Sequence, residues 1–308
     1  MPSIRPLSLA ASVLLLLLSA GIPLFAQEAL QPSDVGHGKA AEAGSFALIA
    51  NALYETTFRK DNVEIFSPDG AFLGLVGKMG RPTGLAFDVA GNLFVASDDS
   101  GAGYSIKKVS ATDGTISTFT TAALSGPHGL AFDQEGNLYV ANNNNNTVVS
   151  YTPDGVSTTF ADRGDGLVNP IGLAFDAEGN LFVTNTHGGP MRTGRVIKLS
   201  PAGEPTIFAD QGLVVPYGVA LDPSGNIYVS LNGNNTLLHY APDGTPLGAF
   251  CGSGLASPYG MVFDDAGNLY VANNATSTIE KYAPDGTDLG VFANTRSGPH
   301  FLAIYHRQ

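Results

Sequence analysis

The chain has one cysteine, Cys251, and no tryptophan in 308 residues. A lone thiol cannot close an internal disulfide, so packing or topology must hold the fold. Within Gly-Ala-Phe-Cys-Gly it reads as a small apolar filler. Charge is also scarce, at 14% of residues, and basic residues are outnumbered 15 to 27 by acidic ones, a formal net charge of −12. Such a surface repels phosphate backbones and anionic lipid, which removes nucleic acid and the membrane surface as partners. No nucleophile elbow, phosphate loop or dinucleotide fingerprint occurs, and several large enzyme classes go with them.

What is abundant is glycine, 38 residues, in a chain that is 44% hydrophobic. That balance suits many short strands and tight turns, with little helix. Residues 1–26 carry Arg5, an apolar stretch around Val13–Leu18 and small residues at Ala20 and Ala26, the pattern of a secretory signal peptide. The stretch is broken by Gly21 and Pro23 and is short for a membrane span. The expectation is cleavage near Ala26, a flexible linker over 27–45, and an exported, periplasmic or extracellular protein with no membrane attachment once the signal is gone.

A phrase then recurs: "RPTGLAFDVAGNLFVAS", "GPHGLAFDQEGNLYVAN", "NPIGLAFDAEGNLFVTN", "VPYGVALDPSGNIYVSL" and "SPYGMVFDDAGNLYVAN". Its prolines, Pro82, Pro127, Pro170, Pro216, Pro258 and Pro299, are 45, 43, 46, 42 and 41 residues apart, the length of a four-stranded propeller blade. Within a repeat, a short apolar strand leads into D-x-x-G-N, where Asp can bond the backbone and Gly can take positive φ. A second strand, a variable loop, a third strand, a P-D-G turn and a fourth strand ending in an aromatic complete it. Residues 46–78 read as strands two to four of a blade without its first strand, with "FALIAN" as strand two. The C-terminal "GPHFLAIYHRQ" reads as a first strand with nothing after it. The fold expected over 46–308 is therefore all-β: a six-bladed β-propeller of four-stranded blades, its ring closed by the C-terminal strand joining the N-terminal blade, which removes exposed sheet edges.

These repeats resemble NHL repeats, and the chain resembles the six-bladed superfamily that includes NHL-repeat proteins, gluconolactonase-like hydrolases and peptidylglycine-type lyases. The scaffold is shared by binding proteins and enzymes, so function must come from the site. The D-x-x-G-N and P-D-G turns lie on one face. The proline-led start of strand one shares the other face with the variable loop between strands two and three, and variable loops on a rigid frame carry recognition.

One position after each proline, Thr83, His128, Ile171, Tyr217, Tyr259 and His300 are expected to line the channel mouth. A second ring at the end of strand two, Asn51, Ser97, Asn142, Asn185, Leu231 and Asn273, is expected to make it rich in neutral amides. The rest of the Asn142–Asn146 run reads as a polar loop tolerant of left-handed backbone. Arg59 and Arg192, on longer loops across the ring, could clamp an anion. The ligand expected on this face is a protein, peptide or glycan, with Asn51, Arg59, Asn142, Asn185, Arg192, Tyr217, Tyr259 and Asn273 as its contacts, and the chain is expected to be monomeric.

The resemblance also implies an enzymatic alternative. Peptidyl-hydroxyglycine lyases hold zinc with histidines in P-H-x tripeptides on alternate blades, and two such tripeptides occur here, at His128 and His300, with Tyr217 in the third place. His187 is an added donor, and the cofactor would be a divalent metal, zinc or calcium. The gluconolactonase pattern fits less well, since no E-G-P tripeptide occurs and no asparagine precedes the glycine of strand one. N-terminal sequencing of the exported protein is expected to start near Gln27; full-length protein retained in the cytoplasm of its host would refute the leader.

Overall fold

A computed structural model describes residues 48–99, 101–189 and 193–305. The expected leader and linker both lie outside these residues. The described strands form six antiparallel sheets of four. Blade three shows the plan: Pro127–Phe132, Leu138–Asn142, Thr147–Tyr151 and Ser157–Ala161, ordered from the channel outward. Its first turn is closed by Asp133, whose Oδ1 accepts the Asn137 backbone N–H at 2.7 Å and whose Oδ2 accepts the Asn137 amide at 2.8 Å, while Gly136 sits at φ 83. The same clamp recurs at Asp88–Asn92, Asp176–Asn180, Asp222–Asn226 and Asp264–Asn268. These aspartates are turn chemistry, as their spacing suggested.

Alternation along each strand points every second side chain at a neighbouring blade, so the core is six separate seams rather than one centre. Between blades two and three, Phe94 packs edge-on against Phe119 of its own outer strand and Phe132 of the next inner strand, at 5.2 and 5.0 Å. Tyr139 with Phe160 and Phe175, and Tyr228 with Phe250 and Phe263, repeat the arrangement. Edge-to-face geometry of this kind adds about 0.5–1.5 kcal/mol per pair beyond burial. The outer strands expose Phe72, Ile116, Ile207 and Leu247, and their edges are interrupted by register shifts and by Pro205 and Pro246, which blunt edge-to-edge pairing.

The ring closes as expected. Leu302–Ile304 pairs antiparallel with Leu53–Thr57, matching Leu53 to Ile304 and Glu55 to Leu302, and lies beside the inner strands of blades six and two. Tyr305 stacks on Phe87 at 5.0 Å and accepts the Asn51 N–H at 2.7 Å.

Blade one differs from its sequence reading in register. Its second strand is Leu53–Thr57, not "FALIAN", so Leu53 corresponds to Leu138 and Thr57 to Asn142. Asn51 then falls where the other blades have the turn glycine, and it takes that glycine's conformation at φ 58. It lies on the turn face, opposite the expected mouth. The reading failed because blade one lacks the D-x-x-G-N signal that sets register elsewhere.

Deleting residues 299–308 removes an inner strand and uncovers two seams at once. A large apolar side chain lost from burial costs about 1.5–3 kcal/mol, against a net stability of about 5–15 kcal/mol for a domain. The truncated chain is expected to lose soluble, cooperative unfolding; melting within a degree of the full chain would refute ring closure.

Candidate functional site

The site is built where inner strands start. After each proline comes a residue whose carbonyl lies against the glycine of the preceding blade: a Cβ on Gly129 would collide with the Ile171 carbonyl, and one on Gly84 with that of His128. Where strand two offers a hydroxyl, it bridges the contact. The Gly172 N–H donates to Thr184 Oγ1 at 2.7 Å, and that hydroxyl donates to the Tyr217 carbonyl at 2.5 Å. Gly218, Ser230 and the Tyr259 carbonyl repeat this at 2.8 and 2.6 Å. These bonds fix the backbone from which the mouth side chains project.

Of the six expected mouth residues, Thr83 and Ile171 are buried, and the Thr83 hydroxyl donates to the Pro127 carbonyl at 2.7 Å. The four partly exposed residues are His128, Tyr217, Tyr259 and His300. Three of them form a continuous chain of rings: Tyr217 to Tyr259 at 4.1 Å, then Tyr259 to His300 at 4.8 Å. Phe58, from the short turn Phe58–Lys60, extends it by stacking on His300 at 5.2 Å and an interplanar angle of 8°. The Arg81 guanidinium covers Phe58 at 4.3 Å and pairs with Asp98 at 3.2 Å. Phe58 and Arg81 were not singled out in the sequence. Phe58 follows the second strand of blade one and Arg81 precedes the inner strand of blade two, so both stand on the loop face.

The chain of rings is electrically neutral. Burial lowers the His128 imidazole to about 4, and burial, then His128 and Arg59, lower His300 to about 4. Burial, then Tyr259, raises the Tyr217 phenol far above its ordinary value. In both histidines Nδ1 is buried with no hydrogen-bond partner.

The expected ring of amides is not at the mouth. Asn142, Asn185 and Asn273 are fully buried and hold the inter-blade loops. Asn142 Oδ1 accepts from Ser125 N at 3.0 Å and its amide donates to the Ala123 carbonyl at 2.9 Å. Asn185 accepts from Val168 N, and Asn273 from Ala256 N. Residues Asn143–Asn146 form the polar turn expected, with Asn146 at φ 59. Arg59 is exposed beside Phe58; Arg192 lies outside the described residues, so no arginine clamp can be drawn. His187 is exposed, with Nδ1 2.9 Å from Thr186 Oγ1 in its own loop.

Among the described residues no three or more His, Cys, Asp or Glu side chains gather to hold a metal. Zinc takes three or four nitrogen, sulfur or carboxylate ligands. Two imidazoles and a phenol that burial keeps protonated do not fit the lyase-type triad.

Residues 124–151 match the family described as NHL repeat. No curated protein matches the chain by sequence. Among solved structures, a chain of a nidogen–laminin complex has a TM-score of 0.71 at 19% identity, covering 83% of this chain and 99% of that one. A putative gluconolactonase has a TM-score of 0.61 at 19% identity, covering 71% and 80%. A streptogramin B lyase has a TM-score of 0.58 at 17% identity, covering 74% and 75%. The fold is thus the six-bladed propeller of NHL and gluconolactonase-like proteins.

The lowered histidines set a pH dependence. Their folded values lie below the unfolded value of about 6.5, so the unfolded chain binds more protons between the two, and stability falls as pH drops from about 6.5 to about 4. The buried carboxyls Glu55 and Glu64, raised by burial, act in the opposite sense, so the histidine contribution is read as a difference: the stability of the parent relative to the double variant His128→Asn, His300→Asn is expected to fall as pH drops from about 6.5 to about 4 in thermal melts. An unchanged slope in the double variant would refute the assignment.

Proposed function

We propose that this chain is an exported, monomeric NHL-like propeller that binds a protein, peptide or glycan on its loop face, using the channel-mouth rings as the contact platform. The observation that carries this is the neutral chain Tyr217–Tyr259–His300–Phe58, partly exposed and fixed from below by backbone bonds. Aromatic rings of this kind offer large, rigid contact area to an apolar or planar group at little entropic cost. Arg81 and Arg59 beside them favour an anionic group on the same ligand. The nidogen–laminin neighbour supports a protein ligand by analogy of fold alone.

A second reading, a metal-dependent lyase or hydrolase with zinc or calcium at the mouth, is favoured by one feature, the two unpartnered imidazole nitrogens. The donor set argues against it. Probing peptide and glycan arrays with the parent chain and with the double variant Tyr217→Ala, Tyr259→Ala separates the two. Hits that weaken tenfold or more in the variant are expected. Hits indifferent to the variant, together with stoichiometric zinc binding that His128→Ala and His300→Ala each abolish, would overturn the binding reading in favour of the enzyme.

A further inference from the structure

Five of the six blades place a fully buried valine at the third position of strand two: Val95, Val140, Val183, Val229 and Val271. Blade one places Glu55 there, with no exposed surface. Opposite it in the ladder is Glu64, whose side chain is also fully buried. The next pair on the same face of the sheet is Thr57 with Asn62, and the pair before it, Leu53 with Phe66, packs against Tyr270, Ala272 and Ile279 of blade six. Two carboxylates, an amide and a hydroxyl therefore face the seam where the two ends of the ring meet.

Each carboxylate has one oxygen in a hydrogen bond and one without. Glu55 Oε2 accepts from the Thr57 hydroxyl at 2.8 Å, and Glu64 Oε2 accepts from the Arg296 N–H at 3.3 Å. Glu55 Oε1, Glu64 Oε1 and Asn62 Oδ1 are buried with no hydrogen-bond partner. The Arg296 guanidinium stops 3.8 Å from Glu64 Oε1, with its plane held over the Phe72 ring at 4.5 Å. The Asn62 amide is turned by its bond to the Lys60 carbonyl at 2.9 Å.

Buried charge is tolerated only when it is paired or holds a metal. Burial, then the facing Glu64, pushes the Glu55 carboxyl well above its ordinary value, and burial raises Glu64. A proton shared between the carboxylates would satisfy two oxygens and leave Asn62 Oδ1 orphaned, whereas a hard cation takes all three. Carboxylate, amide and hydroxyl oxygens without nitrogen or sulfur are the donor chemistry of calcium, which completes its shell with water and backbone carbonyls.

We propose that Glu55, Glu64 and Asn62, with Thr57 orienting Glu55, form a calcium site at the ring-closing seam, beside Thr56, whose carbonyl holds the His300 N–H. A cation there ties blade one to the segment carrying Arg296. It does in this cysteine-poor chain what a disulfide does elsewhere. Extracellular calcium modules bind at about 10⁻⁴–10⁻³ M, the range expected here.

The test is calcium alone, added to chelator-treated full chain and followed by calorimetry and thermal melting. One equivalent is expected to bind, with a saturable rise in Tm of about 3–5 °C at tenfold excess over the dissociation constant. Glu55→Gln and Glu64→Gln are each expected to abolish both signals, while His128→Ala leaves them intact. Glu55→Val, which restores the residue of the other five blades, is expected to fold and to ignore calcium. Absence of calcium-dependent heat and Tm shift in the parent chain, or their persistence in both glutamine variants, would overturn the site.

Discussion

Everything in this molecule depends on a three-residue strand. Leu302–Ile304 converts an open row of blades into a ring by pairing with Leu53–Thr57, which lies almost 250 positions earlier in the chain. In a chain with one cysteine this strand pairing, with the seam around it, ties the two ends together without a covalent bond. Such a contact forms late for entropic reasons, since both ends of a long chain must meet. Once formed, it gives every blade two neighbours.

Closure also determines how tightly the inner strands are drawn together. The glycine after five of the six mouth residues lets the next blade's carbonyl approach to contact, and the hydroxyls of Thr56, Thr184 and Ser230 bridge the gap where they occur. Two of the six mouth positions, Thr83 and Ile171, are buried. The remaining four are rings, three of them in contact, and burial keeps both histidines neutral.

The fold was legible in the sequence because its signals are local. An Asp–Asn clamp around a positive-φ glycine is a property of five residues, and its repetition at blade-length spacing needs no tertiary knowledge. Blade one was misread for the same reason: Asn51 does the glycine's work at φ 58, and no aspartate marks the turn. The site was less legible. Asn142, Asn185 and Asn273 end their strands on the loop face, yet their amides turn inward to bind the loops that precede each inner strand, a choice made by loop geometry that composition does not carry. Strand pleat puts Tyr217, Tyr259, His128 and His300 in equivalent positions, but it does not say which side chains stay exposed, since Thr83 and Ile171 occupy the same position and are buried.

The departures from the repeat gather in the blade assembled from both ends. Glu55 replaces a core valine, Asn51 replaces a turn glycine, Phe58 leans onto His300, and Thr56 holds the His300 and Phe301 backbone N–H groups through its carbonyl and hydroxyl at 3.0 Å each. His300 is thus both the last ring of the mouth and the residue that leads the closing strand into place. Under the proposed reading, a ligand resting on that ring would press on the segment that shuts the propeller and would bind only the closed form. By mass action, occupancy of the mouth and integrity of the ring must stabilise each other. The irregular features thus fall in the one blade whose strands come from both ends of the chain, while the other five repeat a single plan.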